Sequence, residues 1–277
     1  MGRISALTEL TSLASDDYLV VLDSSANIAK KITIANAFGI TDFGWTATGE
    51  SWTYSSWTSS SRIGVITVPT DATTKYYEGM RVKITQSTGG TKYGIIHYVT
   101  ATTLHVFFPS GTTLNNEAIT SPQYSIAYAP LGFPRGEDTW SIEYTNATQV
   151  NMGSIASAAT ITNFTSHSIT IGRGLWDIFF RVRGQITHAG VTYLYQIIGL
   201  STANNSFSDT ELVCYGENSN VSRTETDFPH FGSKRLQNNA DSTTYYLNTQ
   251  GSAANTTQYA HGGLGRTIIK ATSAYAA

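Results

Sequence analysis

The acidic side chains spaced for bond cleavage are Glu137/Asp138, Asp209/Glu211 and Glu225/Asp227. Glycoside hydrolysis needs two carboxylates flanking the scissile bond, roughly 5 to 10 Å apart. Asp209 and Glu211, two residues apart, would face the same way on a strand. All three pairs nevertheless fall in polar, loop-like stretches where charge is expected for solvation alone. Six histidines stand at 97, 105, 167, 188, 230 and 261, with no H-E-x-x-H or other metal-ligand spacing. His97 and His105 are expected at outward or turn-adjacent positions of a hairpin, as ordinary surface histidines. One ring from each of three subunits meeting on an axis is the alternative, and nothing selects which His would do so. No cofactor or metal is assigned. The 262–265 run G-G-L-G lacks the Lys-Ser/Thr ending of a phosphate loop, and no G-x-S-x-G elbow is present. The single cysteine, Cys214, excludes an internal disulfide and reads as a small buried hydrophobe.

Recognition chemistry is better represented than catalysis. Tyr215, Arg223, Phe228, His230 and Phe231 stand in the polar stretch 204–241, read as the longest loop of its module. Aromatic rings stack on sugar faces while Asn and Arg hydrogen-bond hydroxyls, so this set suits a surface glycan. A solvated loop stapled by Phe228 and Phe231 is the plainer alternative.

The elements that must carry these residues are strands. Charged residues are 13% of the 277, about half the usual share of roughly 25%. Ser and Thr together supply about a quarter, and aromatics 12%, with 16 Tyr. Such residues fit pleated, half-buried surfaces, so the composition predicts an all-β chain. A net charge of -2 provides no electrostatic footprint for nucleic acid. No run of 18 apolar residues occurs, so no membrane-spanning helix is expected, and no apolar core of signal-peptide length follows Met1.

Three segments are expected: 1–43, 44–134 and 135–277. In the first, a strand at 17–23 carries Tyr18, Val20 and Leu22 on one face, and its return at 29–34 carries Ile32 and Ile34. Two strands alone are marginal in water, so this ribbon must pack on a partner or on the next domain. In the second, strands are expected at 62–68, 80–85, 93–100, 103–108 and 124–129, with a hairpin turn at Gly89-Gly90, giving a small barrel or sandwich. In the third, strand 174–186 (G-L-W-D-I-F-F-R-V-R-G-Q-I) places Trp176, Ile178, Phe180, Val182 and Ile186 in a core. Its other face holds Phe179, Arg181 and Arg183, an apolar group beside arginines, as at subunit interfaces. Strand 191–200, with Tyr193 and Tyr195, is apolar on both sides and points to the same use.

Two stretches carry a family likeness. I-S-A-L-T-E-L (4–10), D-D-Y-L-V-V-L-D (16–23) and K-K-I-T-I-A-N-A-F-G (30–39) resemble the leader of bacteriophage tail-fibre and other virion surface proteins. W-T-A-T-G-E-S-W-T-Y (45–54), I-T-V-P-T-D-A-T-T-K-Y (66–76), G-M-R-V-K-I-T-Q (79–86) and Y-S-I-A-Y-A-P-L-G-F-P (124–134) are similar to a module of phage minor structural proteins. The third segment looks, in pattern, like the jelly-roll modules of tumour-necrosis-factor type that end trimeric phage fibres. The resemblance implies a homotrimeric virion protein, not an enzyme, made in the host cytoplasm. It would mount on tail or capsid proteins by its N-terminus and contact a host-surface glycan through its last module. A head fibre or capsid decoration protein is the first alternative, and a small fibre-borne glycan hydrolase the second.

Overall fold

The computed structural model describes residues 18–23, 28–33, 44–155, 160–187, 194–218, 225–251, 256–260 and 265–276. The described chain is all-β, with nineteen strands and only short 3-10 turns between them. The first two strands, β1 (Tyr18–Asp23) and β2 (Ile28–Thr33), form an antiparallel hairpin. Val20 is in register with Lys31 and Leu22 with Ala29, whereas Ile32 stands opposite Leu19. Ile34 lies outside the described residues.

The middle module is one seven-stranded antiparallel sheet. Its strands are β3 (Thr46–Ala47), β4 (Thr53–Thr58), β5 (Ile63–Thr67), β6 (Arg81–Gln86), β7 (Gly90–Val99), β8 (Thr103–Phe107) and β9 (Thr120–Ser125). Spatially they run β3-β9-β6-β7-β8-β5-β4. Ile66, Val82, Ile84, Ile96, Leu104 and Val106 alternate onto one face and are fully buried. Tyr76 packs edge-on against both Trp52, beside β4, and Tyr124 of β9, so opposite margins of the sheet curl toward each other. The expected turn at Gly89-Gly90 is present, both residues having positive φ as tight hairpins require. Expected strand 124–129 is instead β9, which accommodates Pro122 at a register shift against β6.

The third segment is a sandwich of two sheets. Its strands are β10 (Ser141–Asn146), β11 (Val150–Ile155), β12 (Ile161–Ile171), β13 (Gly174–Thr187), β14 (Leu194–Ser201), β15 (Val213–Asn218), β16 (Glu225–Asn238), β17 (Thr243–Gly251), β18 (Thr256–Ala260) and β19 (Thr267–Ser273). Strands β10 and β11 lie end to end, as do β18 and β19, because both members of the second pair line one edge of β13. Counting each pair as one row makes eight rows in chain order. The first sheet then reads 1-8-3-6, ending on β16, and the second, β12-β17-β14-β15, reads 2-7-4-5. Trp176, Ile178, Phe180, Val182 and Ile186 all point inward from β13 and are buried, as alternation predicts. Each such side chain contributes about 1.5–3 kcal/mol by leaving water.

The two modules are not beads on a linker. Trp45, Ile63, Ile95, Phe107 and Phe133 of the middle module share one continuous core with Trp140 and Trp176 of the sandwich. At Gly172 an added methyl would stand 2.3 Å from Ile63, and at Gly174 (φ +133°) 2.4 Å from His97, so both glycines let the modules close.

Candidate functional site

Each candidate acid pair is tied to a cation. Asp209 and Glu211 both accept from Lys234, at 2.8 and 2.6 Å, and together they raise the pKa of that lysine. Asp138 accepts from Lys270 at 2.6 Å, and the hydrogen bond holds its carboxyl below the usual range. Asp227 accepts from Arg183 at 2.6 Å. These are rim ion pairs. A glycosidase acid would need its pKa raised, the opposite of the shift at Asp138.

His97 overturns the expectation of a surface histidine. It is wholly buried in the seam between modules, with the rings of Phe107, Trp176 and Tyr275 about 5 Å from its own. Burial pushes its pKa down to about 3. His105 sits at the seam's edge, 4.0 Å from Asp241, which also pairs with Arg173 at 3.1 Å. His188 and His261 lie outside the described residues. Two arginines also close the seam. Arg62 donates to the carbonyls of Thr139 and Ser141, and Arg81 to those of Gly79, Tyr128 and Tyr275. Arg81 lies on the face of β6 opposite Val82 and Ile84, and that face abuts the sandwich, which buries it.

The expected recognition loop is corrected: most of it is strand. Phe228 and His230 occupy inward positions of β16 and are buried, while Phe231 points outward at 68% exposure. Tyr215 belongs to β15 of the other sheet, and Arg223 lies outside the described residues. His230 joins Gln196, Thr249 and Gln258 in a buried polar cluster. Its Nε2 donates to Gln196 Oε1 at 3.3 Å, and Thr249 Oγ1 donates to Gln258 Oε1 at 2.5 Å. Burial lowers the His230 pKa to about 4.

The expected interface residues fall on two different surfaces. On the outer face of the first sheet, Phe179 (36% exposed) is in register with Lys270 and Ser233, and Arg181 with Phe231 and Ile268. Arg183 and Arg235 flank this patch, held by Asp227 and Asp177. Phe231, expected to read a receptor, therefore adjoins the residues expected to meet another subunit. Tyr195 is elsewhere, on the second sheet, its ring stacked 5.5 Å from that of Tyr215. Tyr193 lies outside the described residues.

No family model and no curated protein matches the chain. Among solved structures it is similar to dimeric latent PorU from Porphyromonas gingivalis, at 8% identity and a TM-score of 0.29, covering 81% of this chain and 24% of that one. The infectious bursal disease virus VP2 subviral particle is similar at 13% identity and a TM-score of 0.28, covering 91% and 67%. A lipoprotein from Bacteroides thetaiotaomicron follows at 9% identity and 0.21, covering 83% and 87%. The chain thus spans about a quarter of PorU. Scores this low carry no argument about role.

Proposed function

We propose that this chain is a structural protein of a bacteriophage particle: a homotrimeric tail fibre or spike, mounted by its N-terminal hairpin segment and displaying the sandwich toward the host surface. The patch of Phe179, Arg181 and Phe231 carries the reading. Two half-exposed or exposed phenylalanines beside arginines on one sheet face have the composition of an interface core rather than of a wetted face. The row orders 1-8-3-6 and 2-7-4-5 are those of two interlocked Greek keys, which supports a jelly roll, a plan used by viral capsid and lectin domains. The two outer faces of the sandwich divide the labour. The Phe179/Phe231 face meets a second copy, and the Tyr195/Tyr215 pair on the opposite sheet faces the host glycan. The ion pairs at the three acid pairs weigh against the hydrolase alternative, whereas a head fibre would use the same surfaces.

Light scattering on the purified protein should return three times the chain mass. Phe179→Asp with Phe231→Asp should reduce that to one chain mass while the sandwich remains folded. A wild-type monomer would overturn the assembly. Incorporation of a chain lacking residues 1–39 into particles would overturn the mounting role.

A further inference from the structure

The middle module carries a groove that the mounting reading does not use. The tip of the β6–β7 hairpin and the loop after β8 enclose about 350 Å³ between Thr88, Thr91, Lys92, Thr112, Thr113 and Asn115. That volume lies in the range of roughly 300–1,000 Å³ usual for small-molecule sites. Its distinctive member is Lys92, a lysine only 5% exposed. The ammonium donates to Gln86 Oε1 at 2.8 Å and to the Thr113 carbonyl at 2.6 Å, both neutral acceptors. An ammonium has three N–H donors, so one is left unspent. Among the described residues no carboxylate lies within ion-pair distance of it. Glu117, whose charge reaches Lys92, hydrogen-bonds Ser87, the Thr88 amide and Asn115 instead.

Gln86 fixes the cation in place. Its own amide donates to the Asn115 carbonyl at 2.8 Å, and its Oε1 also accepts from the Asn115 amide at 3.0 Å. The hydroxyls of Thr91, Thr112 and Thr113 make no hydrogen bond with another described residue, and each can both donate and accept. The groove therefore offers one buried positive charge ringed by uncommitted hydroxyls, with no aromatic ring in its lining. One cation matches a singly charged anion better than a phosphate ester. Hydroxyls suit a polyhydroxylated body, and the missing ring disfavours a nucleobase.

We propose that this groove binds a carboxylated sugar, a uronic or sialic acid unit, with its carboxylate on Lys92 and its hydroxyls on the threonines. The site stands independently of the particle assignment. Burial also holds the Lys92 pKa below the ordinary lysine value, and the Glu117 charge offsets this only in part.

Saturation-transfer NMR on the full chain would use D-glucuronate, N-acetylneuraminate, D-glucose and inorganic phosphate as probes. At least one of the two acidic sugars should bind at millimolar concentration, roughly tenfold more tightly than glucose. Lys92→Gln should abolish that preference, and Thr91→Trp, which fills the groove and leaves Lys92 intact, should abolish binding. If Lys92→Gln fails to fold, Thr91→Trp decides alone. Acidic-sugar binding that survives Thr91→Trp, binding of neither acid, or phosphate binding as tightly as both would each overturn the proposal.

Discussion

The imidazole of His97 has a single proton and two fixed neighbours. A carbonyl can only accept, so Nδ1–H donates to Arg173 O at 3.2 Å and Nε2 accepts from the Ser273 hydroxyl at 2.7 Å. A second proton would place a charge among three aromatic rings, with the positive Arg81 adding to the cost. In the unfolded chain this histidine titrates near 6.5; folded, it is held near 3. Between those values the unfolded state binds the extra proton, so stability is intact above pH 6.5 and falls as the pH drops toward 3. The slope reaches about 1.4 kcal/mol per pH unit for each such group. His230, held near 4, adds to the loss between 6.5 and 4. Thermal melts should therefore fall steadily from pH 7 to pH 4. His97→Gln should lower the melt at pH 7 yet flatten the dependence, and an unchanged slope would assign the titration elsewhere.

Strand β13 could be read directly from the sequence because every inward position from Trp176 to Val182 is large and apolar. Strand β16 could not. Its inward positions are Thr226, Phe228, His230, Gly232, Lys234 and Leu236, a series that alternates in space but not in hydropathy. Each departure has a local cause. Gly232 makes room for the Phe180 ring, which would lie 2.5 Å from a methyl there. Lys234 reaches the rim to meet Asp209, and His230 finds Gln196. Pro229, which reads as a strand breaker, is tolerated because β16 is an edge strand, paired among the described residues with β13 alone. The stretch thus reads as loop in sequence because its polar groups are satisfied by partners distant along the chain. Paired substitutions separate the strand from the expected loop. Phe228→Ala should cost about 3–5 kcal/mol in chemical denaturation, as buried ring deletions do. Phe231→Ala should change the stability of the isolated chain by less than about 0.5 kcal/mol. Equal and small effects would restore the loop.

At the scale of the molecule, composition and spacing pointed to an all-β chain and placed a boundary near Pro134. They did not reveal that the two modules share one core. That core is assembled from residues such as Ile63 and Phe107, whose strands are already buried on the other side by a different cluster. Nothing in local periodicity distinguishes a face meeting a neighbouring module from one meeting water. Calorimetry should show one cooperative transition for residues 44–276, and the 135–277 segment made alone should expose Trp140 and Trp176 and aggregate. Two well-separated transitions would show that the seam contributes little.

A core shared across the seam also dictates how the two modules move. Arg62 and Arg81 donate to backbone carbonyls across it, and the glycines at 172 and 174 bring the sandwich into close contact with Ile63 and His97, leaving a cavity of only about 90 Å³ between Arg81, Phe133 and Trp140. The shared core therefore makes the sandwich turn with the middle sheet as one body, so its outer faces keep a constant aim relative to the β6–β7 hairpin.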